Sequence, residues 1–283
     1  MLGQTGAVTD TDQPPPASRH RYSYGGDESQ YGELYLPSPD LAGTRRPGTV
    51  IVIHGGFWRA RYAADYGAPL AADLAARGWA AWNLEYRRVG NGGGWPNTLA
   101  DVAAGIDLLA ELAEQAGAGP AGRARLDLDR VVAIGHSAGG QLATWAAGRP
   151  VLPEGAVGSA PRVRVTGVIA QAPVLDLIQG ALDGLGVTAV ADFLGGLPAE
   201  KPERYRLASP REHVPLAVPV RCLHARDDDT VPFSQSADYV RAARAAGADA
   251  DLVEVTGGHF GVIDPTSPAW QAAVELLPGL PGR

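Results

Sequence analysis

The stretch Arg130-Val131-Val132-Ala133-Ile134-Gly135-His136-Ser137-Ala138-Gly139 decides how this chain is read. Arg130–Ile134 is a short apolar run of the kind that forms a strand covered on both faces. Ala138–Ala147 is alanine-rich and stops at Gly148 with Pro150 beyond, which predicts a helix. Between them stands G-x-S-x-G. A sharp strand-to-helix turn leaves no room for Cβ atoms beside the serine, hence the flanking glycines. The Ser137 hydroxyl then stands exposed above the end of the strand, with the N–H groups of a helix N-terminus aimed toward it. The bland alternative is an ordinary serine in a glycine-rich turn.

Working outward, similar apolar runs recur at Thr49–Ile53, Trp79–Leu84, Val165–Ala170, Val218–Leu223 and Asp251–Val255, and Tyr31–Leu36 alternates as a further strand. Helical patterns separate them. In Asn97–Gln115 the residues Leu99, Val102, Ile106 and Leu109 form one stripe, with Asn97 placed to cap the start. Ser234–Ala246 and Pro268–Leu277 complete the set. Strands alternating with helices predict an α/β fold with a mostly parallel sheet. Residues 1–20, with Pro14, Pro15 and Pro16, are expected to be a mobile tail before a single domain over 21–283. Residues 176–207 have no clean period and are expected to be an insertion that caps an acyl pocket. Pro37–Arg46 reads as a loop, and Gly92-Gly93-Gly94 as a flexible surface loop, since no Lys-Ser/Thr follows it to make a phosphate loop.

A serine hydroxyl needs a base, and the base needs an acid. In this strand–turn–helix setting the chain order is Ser, acid, His. His259, in Gly257-Gly258-His259-Phe260, follows the last strand candidate and is the expected base. His213 lies at the wrong end of Val218–Leu223, and His224 ends that strand as a packing or loop-fixing residue. The acid must follow a strand between serine and histidine. Asp228 heads the D-x-x-V-P spacing in Asp228-Asp229-Thr230-Val231-Pro232, with Asp227 its main rival and Asp176 an outside candidate. Its task is to hold the histidine tautomer. Oxyanion donors are expected from Ala138 N–H and from Gly56 or Phe57 N–H, in His54-Gly55-Gly56-Phe57-Trp58 after the strand Thr49–Ile53. His54 is expected to brace that loop. Trp58, Tyr62, Trp95 and His136 are expected to line a substrate pocket.

Composition limits the alternatives. The 283 residues suffice to bury roughly three quarters of the surface of the unfolded chain without a disulfide or metal staple. Lys and Arg total 24 against 31 Asp and Glu, a net charge of −7, which argues against a nucleic-acid or anionic-membrane partner. Cys222 is the single cysteine, so thiolate metal clusters and intramolecular disulfides are excluded. No cofactor and no metal are expected. The N-terminus lacks a basic stretch followed by an apolar one, so no secretory leader and a cytoplasmic location are expected. The expected partner is a small-molecule ester or amide substrate, the expected state a monomer or homodimer.

With these pieces together, the chain from about Tyr31 onward resembles the α/β-hydrolase superfamily. HGGFW, GHSAGGQLA (Gly135–Ala143) and DDTVPFSQS (Asp228–Ser236) are similar to the kynurenine formamidase and small carboxylesterase branch. Hormone-sensitive-lipase-like esterases are also similar, but Phe57 stands where their third glycine would be. The resemblance implies an eight-stranded sheet, cofactor-free hydrolysis of small carboxylic esters or aryl formamides, and the same Ser137, Asp228 and His259. Two other readings share the motifs: a small peptidase of the prolyl-oligopeptidase type, and a non-catalytic binding protein on a hydrolase fold.

Overall fold

Four strands at the centre of the sheet are buried along their whole length: β3 (Thr49–Ile53), β4 (Ala80–Leu84), β5 (Val131–His136) and β6 (Gly167–Gln171). Strands covered on both faces need no alternation of apolar and polar residues, which is why they read as continuous apolar runs. β1 (Ser18–Ser23), β2 (Tyr31–Leu36), β7 (Val220–Ala225) and β8 (Ala250–Val255) complete one eight-stranded sheet in the order β1-β2-β4-β3-β5-β6-β7-β8. Neighbours from β4 to β8 pair in parallel, whereas β2 is antiparallel to both β1 and β4. The computed structural model describes residues 18–38, 48–117 and 126–282.

Helices cover both faces. α1 (Ala68–Ala76) and α8 (Pro268–Leu276) bury Leu70, Leu74, Trp270 and Ala273 against Val50, Val132 and Ile169 on one side. α2 (Asn97–Gly117), α3 (Ala138–Gly148) and α7 (Ser234–Ala245) bury Leu99, Val102, Ile106, Leu142, Trp145 and Tyr239 on the other. Between β6 and β7 lie three short helices, α4 (Leu177–Leu182), α5 (Ala189–Leu194) and α6 (Pro202–Ala208), whose Phe193, Leu194 and Tyr205 join the second core. Truncating a fully buried tryptophan such as Trp270 in a core of this kind costs about 3–5 kcal/mol.

The strand and helix centres agree with the sequence reading, but some details differ. α1 is an additional helix, with Pro69 in its first turn. β1 starts at Ser18, inside the stretch expected to be a tail; residues 1–17 lie outside the described residues, as does most of the Pro37–Arg46 loop. Asn97 does not cap α2: its side-chain amide donates to Gly92 O at 2.9 Å. The triple-glycine loop is tied down rather than loose. Gly93 N–H donates to Arg88 O at 2.8 Å, Gly94 N–H to Thr98 Oγ1 at 2.9 Å and Trp95 N–H to Phe193 O at 2.7 Å. Among the described residues no helix is long and apolar enough to cross a membrane.

Candidate active site

The C-terminal ends of parallel strands are where such a sheet collects its functional loops. β5 ends at the elbow. Ser137 has φ 54° and ψ −119°, a region a side-chain-bearing residue occupies only where its surroundings impose it. Here Ser137 N–H donates to Gln171 O on β6 at 2.8 Å. A Cβ on Gly135 would stand 2.1 Å from Gly139 O, and one on Gly139 would stand 2.1 Å from Ile53 O. The close approach of strand, turn and neighbouring strand therefore demands both glycines.

β7 and β8 supply the partners. His259 Nδ1 lies 2.8 Å from Asp228 Oδ2. The other oxygen of Asp228 accepts the N–H groups of Thr230 at 2.9 Å and Val231 at 2.8 Å. Burial alone would raise the Asp228 pKa. Side-chain hydrogen bonds from His224 and His259, with the Val231 N–H, outweigh it and hold the carboxyl far below the usual carboxylate range. An ionised acceptor fixes the proton on His259 Nδ1 and leaves Nε2 as the basic nitrogen. His136 supports the same loop: its Nε2–H donates to His259 O at 2.9 Å, and the two rings lie 4.6 Å apart. Burial, then the neighbouring His259, pushes the His136 pKa down to about 3, so its ring is neutral near neutral pH. Of the rival acids, Asp227 is exposed and Asp176 caps α4, accepting Gln179 N–H at 2.8 Å.

The loop after β3 approaches the elbow closely. A Cβ on Gly55 would stand 2.7 Å from His136 O. Gly56, Phe57 and Trp58 all have positive φ. The N–H groups of Gly56, Phe57 and Ala138 donate no hydrogen bond within the described residues. Behind the loop stands a buried brace. His54 Nδ1 is 2.9 Å from Gly55 O and its Nε2 is 3.2 Å from Glu85 Oε1. Glu85 also accepts the N–H groups of Ala64 and Tyr86, each at 2.8 Å, and pairs with Arg88 at 2.8 Å. Burial would raise the Glu85 pKa, but the His54 hydrogen bond and charge and the Arg88 charge outweigh it and lower it. Glu85 is absent from the sequence reading; its one local signal is an acid directly after an apolar strand.

A cavity of about 230 Å³ opens over these residues, lined by Gly55, Gly56, Phe57, Tyr62, Tyr66, His136, Ser137, Thr230, His259, Phe260 and Ile263. Tyr62 and His136 are thus where the sequence reading expects them. Trp58 and Trp95 are not among the lining residues. Trp58 is fully buried, donates to Gln141 Oε1 at 3.0 Å and stacks on Phe193 at 4.6 Å. Trp95 packs, partly buried, against the second core. No residue of 176–207 lines the cavity either; Arg59 donates to Gly186 O at 2.7 Å, so the insertion touches the donor loop from outside. Among the described residues no cluster of three or more His, Cys, Asp or Glu has the arrangement of a metal site.

The model of one family, described as BD-FAE, matches residues 33–242. The chain belongs to the BD-FAE family. Within the span of that BD-FAE match lie the loop after β3, the elbow and Asp228, while His259 lies beyond it. Esterase LipQ of Mycobacterium tuberculosis is 29% identical over 219 residues, covering 74% of this chain and 49% of its own. The chain thus spans about half the length of that curated relative. Among solved structures, a truncated carbohydrate esterase from gut microbiota superposes with a TM-score of 0.74 at 21% identity, covering 94% of this chain and 96% of its own. The thermophilic esterase Est2 of Thermogutta terrifontis superposes with a TM-score of 0.68 at 22% identity, covering 93% and 91%. These superpositions establish the α/β-hydrolase fold for this BD-FAE member.

Proposed function

We propose that this protein is a serine hydrolase that cleaves small carboxylic esters through an acyl-enzyme on Ser137. The observation that carries the reading is the 2.8 Å pairing of His259 with Asp228 on one wall of the cavity that Ser137 also lines. Ser137 Oγ bonds to the acyl carbon as its proton moves to His259 Nε2, and the carbonyl electrons pass to the oxygen. The N–H groups of Ala138 and of Gly56 or Phe57 receive that charge. Collapse breaks the bond to the leaving group, which takes the proton from His259. Water then repeats the sequence, releasing the acid and restoring Ser137. Asp228 stays ionised and holds His259 in the right tautomer. The family and the names of its relatives support the ester reading.

An aryl formamide would use the same steps with an amine as leaving group. The aromatic lining of Phe57, Tyr62 and Phe260 favours keeping it as the second reading. One assay tests both: kcat/KM for p-nitrophenyl acetate against that for an aryl formamide such as N-formylkynurenine, with Ser137→Ala as blank. Ester turnover well above formamide turnover is the expected result. The reverse order would make the protein a formamidase. Activity retained in Ser137→Ala would overturn the mechanism.

A further inference from the structure

His224 has no role in the mechanism above, yet it lies in contact with the acid. The ring is fully buried at the end of β7. Its Nε2 lies 3.2 Å from Asp228 Oδ2, the same oxygen that accepts His259, and 3.0 Å from Val231 O. Its Nδ1 lies 2.8 Å from Ser236 Oγ in α7. We propose that His224 is a positioning residue that holds Asp228, so that Ser137, His259, Asp228 and His224 work in series. The inference rests on the reading of Ser137, His259 and Asp228 given above and deepens it.

The proton positions follow from the partners. A carboxylate and a carbonyl can only accept, so Nε2 must carry a proton: its hydrogen bond goes to Val231 O, and Asp228 Oδ2 lies 3.2 Å from the same nitrogen. Nδ1 is then free to accept, and the Ser236 hydroxyl can donate to it. Cys222 contacts the same hydroxyl, and burial pushes its thiol up to about 12, so it stays uncharged. The Phe233 ring, 5.6 Å from His224, covers another side, and Arg226 stacks on that phenyl ring at 4.7 Å. His224 therefore gives the carboxylate a second side-chain donor from a rigid strand. His259 itself faces Asp228, Phe260 and the neutral His136, and lines the same cavity as Ser137.

Two consequences distinguish positioning from mere packing. A carboxylate that accepts a second N–H is less basic. Removing that donor strengthens the pull of Asp228 on a protonated His259 and moves the acid limb of activity to higher pH. The loosened carboxylate also orients His259 less well, which lowers kcat. KM is spared because His224 does not line the cavity.

The test is the pH profile of kcat and KM for p-nitrophenyl acetate in wild type, His224→Leu, His224→Gln and Ser236→Ala. In His224→Leu, kcat should fall about 10-fold, KM should stay within about twofold, and the acid limb of kcat/KM should rise by about half to one pH unit. His224→Gln, whose amide can still donate to Asp228, should restore the limb. Ser236→Ala, which frees Nδ1 and loosens the ring, should move it the same way by less. A His224→Leu limb at the wild-type position overturns the proposal, as does a His224→Gln limb shifted as far as that of His224→Leu. If His224→Leu does not fold, Ser236→Ala decides: a shifted limb supports the proposal and an unmoved one overturns it. Ser137→Ala in the same assay keeps the failures apart. Retained activity there sinks the whole site, whereas a dead Ser137→Ala with an unmoved limb sinks only His224.

Discussion

Two buried histidine–carboxylate pairs, one at the start of the loop after β3 and one between the loops after β7 and β8, use their ring nitrogens differently. His54 pairs with Glu85, and both of its ring nitrogens are occupied, one by Gly55 O and one by the carboxylate. His259 pairs with Asp228 through Nδ1 alone and reaches the cavity. Each pair joins a histidine to a carboxylate and both rings are buried, 2% and 5% exposed. A pair whose donors and acceptors are all engaged holds backbone in place. A pair with one basic nitrogen left over beside a nucleophile can move a proton. Residue type and burial do not separate a brace from a base; the unspent nitrogen does.

That contrast can be broken most directly at the nucleophile. Ser137→Ala should lower kcat for p-nitrophenyl acetate by about 10⁴-fold or more with little change in melting temperature. Asp228→Asn should follow with about 10³–10⁴-fold, because an amide no longer selects the tautomer that leaves His259 Nε2 basic. Glu85→Ala should act the opposite way. It strips Arg88 of its buried counter-charge and His54 of its carboxylate partner, at about 3–5 kcal/mol, so thermal denaturation should show a drop on the order of 10 °C. Turnover per folded molecule should remain within about tenfold of wild type. A Glu85→Ala variant as inactive as Asp228→Asn, yet as stable as wild type, would abolish the distinction.

Tyr62 and Trp58 sharpen it at smaller scale. Tyr62→Ala, at the cavity wall, should raise KM several-fold and change stability by about 1 kcal/mol. Trp58→Ala should leave KM nearly unchanged and cost about 3–5 kcal/mol in a urea titration.

The gentlest test is acidification. His136 is held neutral by burial, with its pKa near 3, so unfolding lets it take up a proton whenever the pH is below its ordinary range. Its contribution to stability is complete above about pH 6.5 and is lost progressively as pH falls toward about 3. Asp228 and Glu85, both held low, add to the loss below about pH 4, where their unfolded forms begin to bind protons. Melting temperature should therefore fall gradually from neutral pH and more steeply below about 4. Glu85→Gln should show a shallower acid limb.

What the sequence revealed was what is decided locally. The elbow is legible because a turn that tight admits only glycine at Gly135 and Gly139. The pairing of Asp228 with His259 is legible because chain order and strand ends say where an acid and a base would stand. The central strands are legible because full burial removes alternation. The misreadings depend on contacts distant in sequence. Nothing near Trp58 in the chain announces that it stacks on Phe193, and nothing near Trp95 announces that its own N–H donates to Phe193 O. Glu85 gains its meaning only from Ala64, His54 and Arg88 together. α1 did carry a local signal, Pro69 near its start and Gly78 just past its end, in the arrangement that favours helices.

The three short helices between β6 and β7 bear on the outside of the donor loop, through Phe193 under Trp58 and Gly186 against Arg59. Remodelling that segment would therefore reach the reaction from behind. It would bear on the amides of the loop after β3 and, through Gly186 against the Phe57 ring, on one wall of the cavity. Drift in this segment across the family should therefore change turnover and, by way of Phe57, substrate preference together, with no residue of the segment in the cavity itself.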